Sequence, residues 1–196
     1  VHWKSHRQLE ILGATRDDAA GEAFDKIARA LGLGYPGGPA LERIALSGDK
    51  EAIDFPRAWL EEDSLDFSFS GLKSSVINYL HRAKQKGLSI SVPDVAASFQ
   101  EAVVDVLVAK TIKAAQVLGV KTILLAGGVA SNNRLREVLT CQSKDLDLEV
   151  GWPRLAYCTD NAAMIACAAY YLHLAGKYKG LDLNAVPYLP LEKALE

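Results

Sequence analysis

The sequence predicts an α/β fold, and three observations predict it. Thr122 to Ala126 is a short run without alternation, the pattern of a strand buried on both faces, as in a parallel sheet. Gly127 and Gly128 follow at once, and a polar segment then opens a helix. Ahead of the run lies the longest helical stretch, about Pro93 to Leu118, which Gly119 stops. Helix, strand and helix in that order make one unit of an α/β fold.

The other elements follow in chain order. Gln8 to Leu12 alternates weakly and predicts a strand. Thr15 begins T-R-D-D, close to a capping box with Asp in place of Glu, and opens a helix from about Arg16 to Leu31. Ala20, Phe24, Ile27, Ala28 and Leu31 share one face of it. Asp18, Gly21 and Asp25 share a flanking face. A glycine between two carboxylates suits close approach of a ligand or another backbone; a solvated acidic edge has the same pattern. GYPGGP, Gly34 to Pro39, is a tight, rigid turn. Pro39 suits the first turn of the next helix, with Glu42 in that turn. Gly48 to Asp63 is polar and irregular, a surface loop broken by Pro56.

Asp66 to Lys73, DFSFSGLK, alternates Phe67 and Phe69 with serines. It predicts a short strand, a Ser70 cap and a helix from about Gly71 to Lys86. Arg82, Lys84 and Lys86 close that helix, where cations favour the helix dipole; RNA contact is the second reading. The long helix opens at Ser91 and Pro93, with an apolar stripe of Val95, Phe99, Ala102, Val103, Val106, Leu107 and Ala114. A helix of about Asn132 to Leu139 follows the glycines. Leu148 to Val150 and Leu155 to Cys158 are candidate strands, and a last helix runs from about Ala162 to Ala175.

Bulk properties narrow the class. The 196 residues are 49% hydrophobic and 23% charged, ordinary for a soluble globular protein. A net charge of -2 gives no global basic field for nucleic acid, although a local patch suffices. No apolar run approaches the roughly 20 residues that span a bilayer. The start, VHWKSHRQLE, has charge and no apolar centre, unlike a secretory signal, and it lacks an initiator Met, as a piece of a longer chain would. Cys141, Cys158 and Cys167 have no metal-ligand spacing and point to reduced thiols in a cytoplasmic protein.

Three features carry possible chemistry. A strand, Gly127-Gly128 and a helix N-terminus present backbone N–H groups to an anion or nucleotide. An ordinary strand-to-helix turn has the same pattern. Ser131 or Asn132 caps the helix and leaves the other side chain free. His2 and His6 form H-x-x-x-H, a metal pair on a helix. On the extended segment expected here, four residues span about 13 Å, too far for one ion. Asp160 stands at a strand end and a helix start. It is either a carboxylate favoured by the dipole or a metal ligand at the carboxyl end of a strand.

Five blocks then point one way. DDAAGEAFDK, GYPGGP, DFSFSGLK, LLAGGVASNNRLR and YCTDNAAMIA occur in order over nearly the whole chain. They resemble the tRNA N6-adenosine threonylcarbamoyltransferase family, once described as the glycoprotease family. The resemblance implies a two-lobed fold of the actin, Hsp70 and sugar-kinase (ribonuclease H-like) type, with a mixed sheet flanked by helices. It implies transfer of a threonylcarbamoyl group from threonylcarbamoyl-AMP to N6 of adenosine 37, in tRNAs reading codons that begin with A. Asp160 matches the aspartate that binds the catalytic Fe2+ or Zn2+. Asn132 matches the asparagine of the nucleotide site after the Gly127-Gly128 turn. Asp25 and Gly38 match positions that contact nucleotide or substrate, and Glu42 falls where several members have an acidic residue at the ribose. Implied partners are tRNA, threonylcarbamoyl-AMP, an ATP- or adenylate-type ligand, and proteins including a paralogue of the same fold and an ATPase.

The departures matter equally. The family's two metal histidines and its S-G-G-H-T loop lie upstream of these blocks, and His2 and His6 fall where members have a variable hairpin. The resemblance therefore implies a C-terminal portion. Residues 1–158 are then a C-terminal lobe incomplete at its start. Residues 159–196 are a terminal helix and tail that dock on an N-terminal lobe. One metal ligand of the set cannot hold iron tightly, so the chain alone is expected to be inactive. Two other classes stay open: a non-catalytic paralogue that docks the true enzyme, and an actin-like ATPase or kinase.

Overall fold

The computed structural model describes residues 1–6, 8–61, 63–181, 183–187, 189 and 191. The element at its centre is a helix. Val92–Leu118 (α4) buries Val95, Phe99, Val103, Val104, Val108 and Ile112, which cover most of its circumference, while Glu101, Asp105 and Lys113 keep one stripe polar. A helix with so wide an apolar surface needs partners on several sides. Three helices wrap its first half: Ala20–Ala30 (α1), Gly37–Ala45 (α2) and Ser70–Gln85 (α3). Phe24, Ile27, Leu41, Phe69, Leu72 and Val76 meet Val95, Phe99 and Val103 in that core. A second core begins at the next residue. Val104, Val108 and Ile112 pack on Ile123 of Thr122–Leu124 (β3) and on Leu135 and Leu139 of Asn133–Lys144 (α5). Ser91 caps α4 by accepting from the Asp94 N–H, and Gly119 ends it at a φ of 63°.

The strand expected at Thr122 to Ala126 forms over three residues and pairs in parallel with Glu149–Gly151 (β4), Ile123 opposite Val150. The Leu125 N–H adds one more bond, to the Gly151 carbonyl at 2.9 Å. The expectation of burial on both faces is corrected: Ile123 is 7% exposed and Leu124 71%. Helices α4 and α5 cover one face, and no described element covers the other. Both outer edges of this two-stranded sheet are unpaired among the described residues. A separate antiparallel hairpin joins His2–Ser5 (β1) to Gln8–Glu10 (β2). Among the described residues the sheet content is thus two small ribbons.

Three boundaries move for physical reasons. The first helix begins at Ala20 instead of Arg16, because residues 14–16 run beside 66 and 67 as extended chain. There the Phe67 N–H donates to Ala14 and the Arg16 N–H donates to Phe67, both at 2.9 Å. Ser70 is the first residue of α3 and not its cap. Leu155–Tyr157 is a 3-10 turn instead of a strand, closed by the Tyr157 N–H on the Arg154 carbonyl at 2.8 Å.

The last helix, Ala162–Leu174 (α6), starts at Asn161, whose side chain accepts from the Met164 N–H at 3.0 Å. It buries none of its residues, although almost all of them are apolar. Its described ring contact to another element is Tyr171 stacked on His6 at the hairpin, 3.5 Å between centroids.

Candidate functional site

The site is built where the parallel strands end. Beyond β3 the chain turns at Gly127, whose φ of 84° is a backbone state that side chains resist. A 3-10 turn, Gly128–Ser131, and then α5 follow. A Cβ at Gly127 or Gly128 would meet no atom within 4 Å, so the outer side of the turn is open to a ligand. The inner side is not. Gly21 of α1 lies against the turn, its missing Cβ 3.3 Å from Val129. The neighbour at this glycine is the Val129 side chain, and not the ligand or second backbone that the Asp18-Gly21-Asp25 pattern suggested. The acidic edge is no free edge: Asp18 takes Lys26 at 2.6 Å and Lys73 at 2.7 Å, which hold its carboxyl below the usual range.

Three carboxylates cap helices other than their own. Asp17 accepts from the backbone N–H groups of Phe69 and Ser70 at 2.8 and 3.2 Å and from both serine hydroxyls of the S-F-S segment, at the start of α3. Asp25 of α1 accepts from Gly37 and Gly38 at 2.9 and 3.2 Å, at the start of α2. Glu42 of α2 accepts from Asn133 at 2.7 Å, at the start of α5. Each satisfies donors that a helix leaves unpaired. Gly37 is the glycine that closeness requires, since its Cβ would lie 2.7 Å from the Asp25 backbone. Gly38 has open space and an ordinary φ. Of the GYPGGP turn, Gly37 and Gly38 therefore already belong to the first turn of α2, and Glu42, expected in that turn, stands past it.

Of the two candidate caps, Asn132 is the one used. Its Oδ1 accepts from the Leu135 N–H and its Nδ2 donates to Gln100 Oε1, both at 2.9 Å, and it is 6% exposed. The Ser131 hydroxyl donates back to the Gly128 carbonyl at 2.6 Å. Asp25 of α1 thus joins the start of α2, Glu42 of α2 joins the start of α5, and Gly21 of α1 meets the glycine turn, so α1, α2, the turn and α5 share one corner; Asn132 there faces inward, to Gln100 and Leu135.

Asp160 lies apart from this corner. It is exposed, beyond the 3-10 turn that follows β4. Because β3 and β4 are parallel, it leaves the sheet at the same end as the glycine turn. Arg136 joins the two places. Its Nε donates to the Ala130 carbonyl at 2.6 Å, its Nη2 lies 3.6 Å from Cys158 Sγ, and its Cζ lies over the Trp152 ring.

The model of the tRNA N6-adenosine threonylcarbamoyltransferase family matches residues 1–167. The chain belongs to this family. It is 60% identical over 191 residues to the tRNA N6-adenosine threonylcarbamoyltransferase of Moorella thermoacetica, covering 97% of this chain and 56% of that protein. It is 58% identical over 193 residues to the one of Clostridioides difficile, covering 98% and 57%. The chain thus spans about half the length of the curated relatives it matches. Among solved structures it resembles T. kodakarensis HypF, with a TM-score of 0.56 at 21% identity over 81% of this chain and 20% of that one. That likeness concerns the fold alone, and the α/β class expected from the resemblance stands.

Family membership puts a metal in question, and the donors answer it. Asp160 offers one hard oxygen ligand. Among the described residues no three His, Cys, Asp or Glu side chains gather to hold an ion. His2 faces Glu10 at 4.0 Å and His6 stacks on Tyr171, so the two histidines do not converge. Asp160 alone does not hold an ion; further donors would have to come from outside these residues. Sequence reasoning missed Arg136 and Asp17 as organising residues. Arg136 stood inside a quoted block, but helix periodicity makes it a surface cation. Asp17 read as part of a local cap.

Proposed function

We propose that this chain is the nucleotide-holding part of a tRNA N6-adenosine threonylcarbamoyltransferase. The contacts that bring α1, α2 and α5 together at the glycine turn support the reading, because these elements carry Asp25, Gly38, Glu42, Gly127, Gly128 and Asn132 in a chain of that family. In it, the N–H groups near Gly127 and Gly128 hold the phosphate of threonylcarbamoyl-AMP. Asp25 and Glu42 each spend one oxygen on a helix start and turn the other toward the ribose hydroxyls. Gly38 lets the sugar or base approach. Asn132 acts from beneath, keeping the turn and α5 in register. The adenosine N6 lone pair attacks the carbamoyl carbon, the bond to the adenylate oxygen breaks with its electrons on AMP, and N6 loses a proton. No Ser or Cys nucleophile is needed, because the adenylate is already a good leaving group.

The same reading makes Asp160 one ligand of an Fe2+ or Zn2+ completed by histidines outside this chain. It makes tRNA the acceptor, and a paralogue and an ATPase the protein partners, in the cytoplasm. Residues 159–196 dock on the remainder of the full-length protein, which fits the bare apolar surface of α6. No helix among the described residues is long and apolar enough to cross a membrane.

The test uses full-length protein with its partners, threonylcarbamoyl-AMP and a tRNA carrying the target adenosine. Modified nucleoside is read by mass spectrometry and metal by elemental analysis. Transfer by the wild type, with both metal and product lost in Asp160→Ala, is expected. Nucleotide binding without transfer in the complete mixture favours the ATPase or kinase class. Unchanged metal and transfer in Asp160→Ala removes that residue from the site.

A further inference from the structure

We propose that Arg136 is a positioning residue that couples the glycine turn to the segment leading to Asp160. This rests on the reading of the turn as the phosphate-holding element. The geometry is one planar side chain with three partners from three segments. Nε holds the Ala130 carbonyl, inside the 3-10 turn that begins at Gly128. Nη2 reaches Cys158, two residues before Asp160. The guanidinium carbon lies over the ring of Trp152, just past β4, 5.3 Å from its centroid.

Arginine does this as lysine cannot, because its donors sit in a rigid fork and its face stacks on aromatics. Both ends of the link are firmly held. Ala130 is 2% exposed and Cys158 3%, and the Cys158 sulfur also faces the Pro153 and Arg154 carbonyls at 3.9 and 3.7 Å. A shift of the glycine turn therefore moves the guanidinium, and with it the chain at Cys158.

The test uses full-length protein, ATP as the probe, and alkylation of Cys158 followed by peptide mass mapping. In the wild type Cys158 alkylates slowly and ATP slows it further. In Arg136→Met the ATP Kd rises about tenfold, as expected for loss of one charge-assisted hydrogen bond. Cys158 then alkylates faster than in the wild type, and ATP no longer changes its rate. Arg136→Lys reaches one partner at a time, so it regains part of the affinity but not the protection; it also serves if the Met variant fails to fold. Wild-type affinity together with wild-type protection in Arg136→Met, or full protection in Arg136→Lys, overturns the proposal. If the wild type binds no ATP, the nucleotide reading fails separately. The ligand-free alkylation rate then decides on Arg136: faster in the variant supports the link, unchanged overturns it.

Discussion

At the residue scale, Asp17 shows how much one side chain organises. Partial burial pushes its carboxyl up, but donors from Ser68, Phe69 and Ser70 outweigh that and hold it near 2, below its ordinary 3.8. A carboxyl depressed in the folded state stabilises fully above its unfolded pKa. That contribution is lost as pH falls through the folded pKa, here between 3.8 and about 2. Asp17→Asn should cost on the order of 1 kcal/mol at neutral pH, the scale of a lost charged helix cap. The gap between wild type and variant should close as pH falls through that window, because a protonated carboxyl resembles an amide. Urea midpoints at pH 7, 4, 3 and 2 read this directly; a gap that does not narrow would reject the cap. The sequence showed T-R-D-D as a local start signal, yet the partners of Asp17 stand some fifty residues along the chain. A capping pattern names the donor type needed, but nothing local says which helix supplies it. For Asp25 and Glu42 the family resemblance implied ligand contact, and their protein partners at the starts of α2 and α5 were equally invisible.

At the element scale, α5 begins on two supports, Asn132 from its own chain and Glu42 from α2. The amide of Asn132 also satisfies the 7%-exposed Gln100. Asn132→Ala should therefore destabilise by about 2 kcal/mol, combining a lost cap with a stranded buried acceptor. Adding Gln100→Leu should recover part of this, since removing both partners leaves nothing stranded. A urea double-mutant cycle checks it; additive losses would mean the two amides do not interact. Nucleotide affinities for Asn132→Ala need that stability measurement beside them. Long elements were legible: α1, α3, α4, α5 and α6 lie within a few residues of their expected spans, although the caps expected for α1 and α3 are not used. Short ones were not. Thr122 to Ala126 and Leu155 to Cys158 are both short apolar runs, and only pairing separates a strand from a 3-10 turn. The central role of α4 was also hidden, because a stripe on one face was enough to call it a helix.

At the scale of the whole molecule, α6 sets the boundary of what these residues explain. Met164, Ile165, Tyr170 and Leu174 are each about half exposed or more, on a helix with no buried residue. A contiguous apolar surface of this kind marks a contact. The curated relatives carry nearly as many further residues as this chain matches. If those residues cover α6, Ile165 is exposed at 62% here and buried there. Ile165→Asp should then lower the melting temperature of the full-length protein by roughly 5–10 °C, because burying such a side chain contributes about 1.5–3 kcal/mol and a buried carboxylate adds its own cost. The same substitution in the 196-residue chain should leave its melting unchanged and reduce its self-association, since there it replaces an apolar group already in water. Paired melts with light scattering separate the cases. Equal, small shifts in both proteins would show that α6 stays in solvent and that the docking surface lies elsewhere.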